Sequence, residues 1–325
     1  MTFPAEVWRS LLTPQSFLDR SAAVFPERTA VVYGTIRRPY RELATRVNRL
    51  ANALRTAGLQ KGDRVAFLCP NTPPLLEAHF AVPLAGGALV AINTRLSADE
   101  IHYILRHSGA RLLFVDAELA HLVAGRREEL DQLELVCIIN DDQIEPVAPV
   151  LEGPDYEAFL ADSSPAPLTS LLVTEEDIIS INYTSGTTGQ PKGVMYTHRG
   201  AYLNALGECL EVGFTSDSVY LWTLSMFHCN GWCFPWGVVA MGGSQVCLRR
   251  LEPEAVIRLV RDERVSHFCA APTVLIMMLN HPAIGDLQLR RPLTVVTAAA
   301  PPSPTVIQAV EELGARIIHV YGLTE

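Results

Sequence analysis

The sequence predicts an α/β chain of two subdomains, each a mostly parallel sheet covered by helices. Short runs rich in Val, Ile and Leu alternate with segments of helical period. A Pro-, Asp- and Ser-rich stretch without sustained period, residues 141–173, interrupts that alternation and reads as a linking excursion. A length of 325 residues, 49% of them hydrophobic and 19% charged, is ample for two packed cores. The first subdomain is therefore expected over 1–173 and the second over 174–325.

In chain order, Leu43, Val47, Leu50, Ala51 and Leu54 share one face of a helix that starts at Tyr40 and ends near Gly58. Residues 64–69 read as a buried strand, 73–85 as a helix whose end Pro83 disturbs, and 88–92 as a strand. Ser97 and Glu100 have capping-box spacing, so a helix is expected from Ala98 to about His107, followed by a strand at 112–115. Beyond the excursion, 177–182 is a β-branched strand, and 194–210 reads as strand and then helix. Strands at 245–248, 267–270, 294–297 and 316–320 then alternate with helices at 253–263, 272–280 and 304–313. Residues 218–248 carry no Asp, Glu, Lys or Arg, but Pro235, Gly237, Gly242, Gly243, His228 and Asn230 argue against a membrane span. A buried segment lining a pocket is expected there.

A formal charge of −9 argues against nucleic acid as partner, so any anionic ligand must be held by local donors. Glu6, Arg9 and Pro14 stand where a secretion signal needs an apolar run. Seven cysteines, odd in number and mostly in apolar company, read as buried free thiols of a reducing cytoplasm. Cys229 and Cys233, even with His228, fall short of a zinc ligand set.

The richest segment runs Tyr183-Thr184-Ser185-Gly186-Thr187-Thr188-Gly189-Gln190-Pro191-Lys192-Gly193. Glycines let backbone N–H groups turn toward a guest, and with four hydroxyls and an ammonium they make a nest for a polyphosphate. It is not the GxxxxGK[ST] P-loop, because the glycine spacing differs and Gly193 follows the lysine.

The string from Thr184 to Val194 resembles the phosphate-binding signature of the adenylate-forming (AMP-binding) superfamily, which includes acyl-CoA synthetases, firefly-type luciferases and peptide-synthetase adenylation domains. Three more segments agree in order. Ser225-Met226-Phe227-His228-Cys229-Asn230-Gly231-Trp232 is similar to the family's aromatic-histidine segment, Thr297-Ala298-Ala299-Ala300-Pro301-Pro302 to its adenine-side turn, and Tyr321-Gly322-Leu323-Thr324-Glu325 to its YGxTE segment. The resemblance starts at Tyr40-Arg41-Glu42-Leu43 and is nearest to fatty-acid–CoA ligases and related acyl-activating enzymes. It implies two stacked αβα-type subdomains, the large N-terminal domain of such an enzyme. Glu325 falls inside a motif, so the chain reads as truncated, without the small mobile C-terminal domain.

The resemblance also implies chemistry. A carboxylic acid, fatty or aryl, is activated by ATP and Mg²⁺ to an acyl-adenylate and passed to coenzyme A. Thr184, Ser185, Gly186, Thr187, Thr188 and Gly189 would wrap the β- and γ-phosphates with Lys192, and Glu325 with Thr184 would hold Mg²⁺. Thr324 would bond the α-phosphate. Tyr321 would face adenine opposite Ala299, Ala300 and Pro301, with Gly322 and the His319-Val320 backbone at the ring's edge. His228 would lie beside the reacting carboxylate with Asn230 and Gly231, and Trp232 at the mouth of the acyl tunnel. Resembling proteins carry glycine where Ala298 or Ala299 stands. A homodimer through the first subdomain is compatible with the family. His198 reads as structural, and His79, His102 and His281 as ordinary helix or loop residues. The alternatives are a ligase serving a carrier protein, or a nucleotide- or acyl-adenylate-binding fragment with little turnover.

Overall fold

Apolar runs that are too short and too continuous for amphipathic helices become strands buried on both faces. The structure, a computed structural model, describes residues 10–172, 174–184 and 189–325. Its strands are β1 (Thr29–Tyr33), β2 (Ile36–Pro39), β3 (Arg64–Leu68), β4 (Ala88–Ala91), β5 (Ala110–Asp116), β6 (Leu135–Ile139), β7 (Ile178–Thr184), β8 (Lys192–Thr197), β9 (Val219–Leu221), β10 (Ser244–Val246), β11 (His267–Cys269), β12 (Leu293–Thr297) and β13 (Ala315–His319). They form a seven-stranded sheet, ordered β13-β12-β11-β9-β10-β1-β2, and a six-stranded sheet, ordered β6-β5-β3-β4-β7-β8. All pairings are parallel except the edge hairpins β1–β2 and β7–β8. Strands from both sides of residue 173 share each sheet, because β1 and β2 join the later strands and β7 and β8 join the earlier ones.

The expected helices are present, with ends shifted by one or two residues. Tyr40–Thr56 buries the stripe of Leu43, Val47, Leu50, Ala51 and Leu54. Ala98–Ser108 has its capping box: the Glu100 amide donates to Ser97 Oγ at 3.4 Å, and the Ser97 amide donates to the Glu100 carboxylate at 2.9 Å. Gly109, at φ +61°, ends it. Pro73–Leu84 is buried along nearly its whole length and stops one residue after Pro83. The charge-free stretch resolves into β9, a short turn at Cys229–Trp232, a buried helix Phe234–Met241 and β10. Among the described residues no helix is long and apolar enough to cross a membrane.

The 141–173 excursion contains a helix, Tyr156–Ala161, capped by the Asp155 carboxylate. The rest is strapped to helix Tyr40–Thr56. Arg49 Nη1 donates to the Ser163 carbonyl at 2.6 Å, Asn52 Nδ2 to the Ser164 and Ala166 carbonyls at 3.0 Å, and Arg55 Nη2 to the Thr169 carbonyl at 2.8 Å.

Two buried ion clusters tie the layers. Glu77, 1% exposed, accepts from Arg38, Arg46 and the Tyr156 hydroxyl at 3.0, 2.6 and 2.7 Å. Arg249, just after β10, meets Asp116 at the end of β5 at 2.7 Å, Glu118 at 2.6 Å and Asp141 at 2.8 Å. The Tyr33 hydroxyl of β1 donates to the same Asp141 carboxylate at 2.5 Å.

Burial pushes the pKa values of His79, His198 and His267 down to about 4. Each is neutral in the folded chain yet protonated in the unfolded chain below about pH 6.5. Glu208 works against them: burial, then the charge of Glu211, raise its pKa to about 7, so the folded state holds a proton that the unfolded state has lost. Three groups outweigh one. Stability is expected to fall as pH drops from 6.5 toward 4.5, read as a declining urea midpoint; a flat or rising midpoint would contradict neutral burial of these imidazoles.

Candidate functional site

The register of β7 and β8 sets the loop between them. Thr184 pairs with Lys192 and Tyr183 with Gly193, so the hydroxyl-rich string closes across the Thr184–Lys192 step. Ser185, Gly186, Thr187 and Thr188 lie outside the described residues. Gly189 stands at φ +97° in open space, and Lys192 is exposed on the edge strand. Gly193 is needed for packing, since a Cβ there would sit 2.9 Å from Ile181 and 3.2 Å from the Tyr183 ring.

The other three segments leave the carboxyl ends of parallel strands in the larger sheet. Residues 225–232 follow β9, 298–302 follow β12, and 320–325 follow β13. In open parallel sheets ligands bind beyond that edge. Thr324 connects the segments: its carbonyl accepts from the Tyr196 hydroxyl of β8 at 2.8 Å, and its Oγ1 lies 3.1 Å from the Cys229 thiol. The β7–β8 hairpin, the aromatic-histidine segment and the final segment therefore meet at one residue. Burial holds the Cys229 thiol above its ordinary pKa.

Cys229, Asn230, Gly231, Trp232 and Cys233 all have positive φ, between 41° and 62°. A left-handed turn costs about 1–2 kcal/mol for each L-residue that is not glycine. What holds it is Asn230, which is fully buried. Its Oδ1 accepts from Ser180 Oγ at 2.5 Å and Asn182 Nδ2 at 2.7 Å, both on β7. Its backbone N–H donates to Asn182 Oδ1 at 2.9 Å, and its Nδ2 donates to His79 Nε2 at 3.1 Å. His79 Nδ1 donates in turn to the Leu75 carbonyl at 2.7 Å, which leaves Nε2 as the acceptor. Read from sequence as a substrate contact, Asn230 spends its hydrogen bonds inside the protein. His79, read as an ordinary helix residue, is buried at the centre of this network. His198 is also buried, its Nδ1 2.8 Å from Thr13 Oγ1, which fits a structural histidine.

His228, at the start of the turn, is exposed. Partial desolvation first, and the Arg95 charge second, lower its pKa. Trp232 is half-buried, edge-on to Phe234 with ring centroids 6.2 Å apart. Beside Ser225 and Phe227 opens a cleft of about 320 Å³, lined also by Trp222, Arg95, Arg249 and Arg250. Arg249 Nε is buried there without a hydrogen-bond partner.

Beyond β12 and β13, the Val320 amide donates to the Thr297 carbonyl at 2.9 Å, joining the two segments. Ala299, Ala300, Pro301 and His319 are exposed, and Tyr321 is 91% exposed. Gly322 has open space around it, and Glu325 is exposed. Ala299 has φ +73°, a conformation that favours glycine. Sequence reading missed His79, Ser180, Asn182, Tyr196 and the cleft arginines; only the closeness of Tyr196 to the loop signalled a role.

The family model described as AMP-binding enzyme matches residues 18–325. The chain belongs to this family. It is 40% identical over 326 residues to 4-hydroxybutyrate–CoA ligase 2 of Metallosphaera sedula, an alignment covering 99% of this chain and 59% of that protein. It is 40% identical to the peroxisomal benzoate–CoA ligase of Arabidopsis thaliana, covering 97% of this chain and 56% of that one. The chain thus spans less than two thirds of these relatives. The inhibitor-bound N-terminal domain of FACL13 from Mycobacterium tuberculosis superposes with a TM-score of 0.87 at 26% identity, over 97% of this chain and 77% of that chain. The anthranilate CoA ligase AuaEII with anthranoyl-AMP gives 0.87 at 25% identity, over 98% of this chain and 61% of that one. The two-sheet α/β architecture of this chain is that of the N-terminal domains of acyl-CoA synthetases.

Two substitutions test the local geometry. At Gly231 (φ +54°) a Cβ would lie 2.6 Å from the Trp222 ring. Gly231→Ala is expected to cost roughly 2–4 kcal/mol by urea denaturation, from overpacking plus left-handed strain. The helical, open Gly207 is the control, where Gly207→Ala should stabilise by about 0.5–1 kcal/mol. Ala299→Gly should stabilise by about 1 kcal/mol, the strain of one left-handed alanine; a loss of stability there would mean that the turn does not hold φ positive in solution.

Proposed function

We propose that this chain forms the ATP- and acid-binding body of an acyl-CoA synthetase. A carboxylate oxygen bonds to the α-phosphorus of ATP as the bond to pyrophosphate breaks, and coenzyme A then displaces AMP from the acyl-adenylate. The observation that carries the reading is Thr324, touched from one side by Tyr196 of the phosphate-loop hairpin and from the other by Cys229 of the aromatic-histidine turn. A single point reached by all three segments is what a reaction joining a polyphosphate to an acid requires.

In this reading Thr184, Ser185, Gly186, Thr187, Thr188, Gly189 and Lys192 take the β- and γ-phosphates, and the Thr324 hydroxyl takes the α-phosphate. Tyr321, with Ala299, Ala300, Pro301, Gly322 and the His319-Val320 backbone, takes the adenine. Thr184 and Glu325 offer a hydroxyl and a free carboxylate, hard oxygen donors suited to Mg²⁺, which keeps waters and shares phosphate oxygens. Bound there, Mg²⁺ supplies charge neutralisation on the triphosphate. Lowering of its pKa keeps His228 neutral near pH 7, able to hydrogen-bond the acid, while Trp232 and Gly231 border the acyl group. The cleft with Arg95 and Arg250 suits the phosphates of coenzyme A. Relatives named for hydroxybutyrate, acetate, butyrate and benzoate favour a short aliphatic or aryl acid.

The test is a calorimetric titration of the 325-residue chain with ATP, with AMP and with sulfamoyl-adenosine mimics bearing acetyl, butyryl, benzoyl or palmitoyl groups. One short or aryl mimic is expected to bind about tenfold or more tighter than AMP, the scale of one added buried contact set. His228→Ala should erase that gain, and Lys192→Ala should weaken ATP but not AMP. A folded chain that binds none of these ligands would sink the proposal.

A further inference from the structure

We infer that His79 is a positioning residue for acid binding: through Asn230 it holds the left-handed turn of residues 229–233, and so the directions in which His228 and Trp232 face. The inference rests on the reading above that this turn borders the acid.

The two asparagines clamp the chain twice. The Asn230 main-chain N–H meets Asn182 Oδ1, and its side-chain Oδ1 meets Asn182 Nδ2. Both bonds are available only if the Asn230 backbone and side chain approach β7 from one side, as the left-handed turn allows. The turn leads into helix Phe234–Met241, so a right-handed turn is the default continuation. Changing hand would redirect the side chains at 228 and 232.

His79 completes the clamp. Its imidazole is fully buried on helix Pro73–Leu84, edge-on to Trp236, whose Nε1 donates to the His79 carbonyl at 3.0 Å. With Nδ1–H committed to Leu75, Nε2 presents one fixed lone pair to Asn230 Nδ2. Burial keeps the ring neutral, so that lone pair stays free of a proton. Without it, a buried N–H loses its partner inside a site where solvent cannot replace it. The amide must then flip, which breaks its bonds to Ser180 and Asn182, or the turn must leave its place.

The test compares wild type, His79→Leu, His79→Gln and Asn182→Ala as 325-residue chains. Hydrogen–deuterium exchange of ligand-free protein reports the turn directly. His79→Leu should raise exchange across 228–233 about tenfold or more, the scale of one orphaned buried donor, while β3 and β5 stay protected. It should weaken butyryl- or benzoyl-sulfamoyl-adenosine by about tenfold and leave AMP within roughly twofold. His79→Gln, whose Oε1 can accept from Asn230, should restore both readouts. Should His79→Leu not fold, Asn182→Ala is read in the same way. Unchanged exchange at 228–233 overturns the inference, and so does an equal loss of AMP and acyl-adenylate binding, which marks a general packing role. Wild type that binds neither ligand defeats the proposed function instead, and the exchange measurement still decides whether His79 holds the turn.

Discussion

A guanidinium shut away from water needs counter-charges, and Arg249, 8% exposed and just after a strand of the larger sheet, finds them in residues that end or follow strands of the smaller one. Asp116 comes from the end of a strand in the smaller sheet, Asp141 is shared with Tyr33 of the larger one, and Glu118 closes the third side. Breaking a buried ion pair by removing one partner leaves an uncompensated charge, so docking of the two sheets is what keeps Arg249 matched. The cleft beside Phe227 opens where they meet. The second cluster, around Glu77, fixes the helices behind the smaller sheet in the same way. Apolar burial supplies the attraction between layers, and these charges settle the angle at which they meet.

Much of this was legible in one dimension. The β/α alternation, the capping box at Ser97 and the helical face from Leu43 to Leu54 are local patterns, and local patterns survive folding unchanged. What escaped was short or distant. The strand Val219–Leu221 has three residues and no period to detect, and β2 is four residues, IRRP, with too few apolar side chains to show one. Strand β6 lies behind a charged run and was not distinguished from it. The excursion looked structureless because its order comes from bonds to another helix.

The site divides along the same line. The string from Thr184 to Lys192 stood out because its glycines and hydroxyls sit together in sequence, although Ser185, Gly186, Thr187 and Thr188 lie outside the described residues. Asn230 was noticed for its neighbours, but its hydrogen-bond partners lie 48 to 151 residues away, and nothing near it in sequence betrays that these bonds run inward. His79 was passed over because a histidine inside an apolar helix usually has no task beyond packing. The alanines of the 298–300 turn were noticed as departures from glycine, and Ala299 alone among them has a positive φ.

The strap over helix Tyr40–Thr56 carries a consequence for how this protein can diverge. Arg49, Asn52 and Arg55 grip it entirely through backbone carbonyls, of Ala161, Ser163, Ser164, Ala166 and Thr169. A carbonyl is the same whatever residue bears it. Mutational drift in the strap is therefore nearly invisible to its own anchoring, while the three helix residues, spaced three apart, carry the whole evolutionary burden. Related chains should show a hypervariable ribbon lying over a fixed ladder of donors.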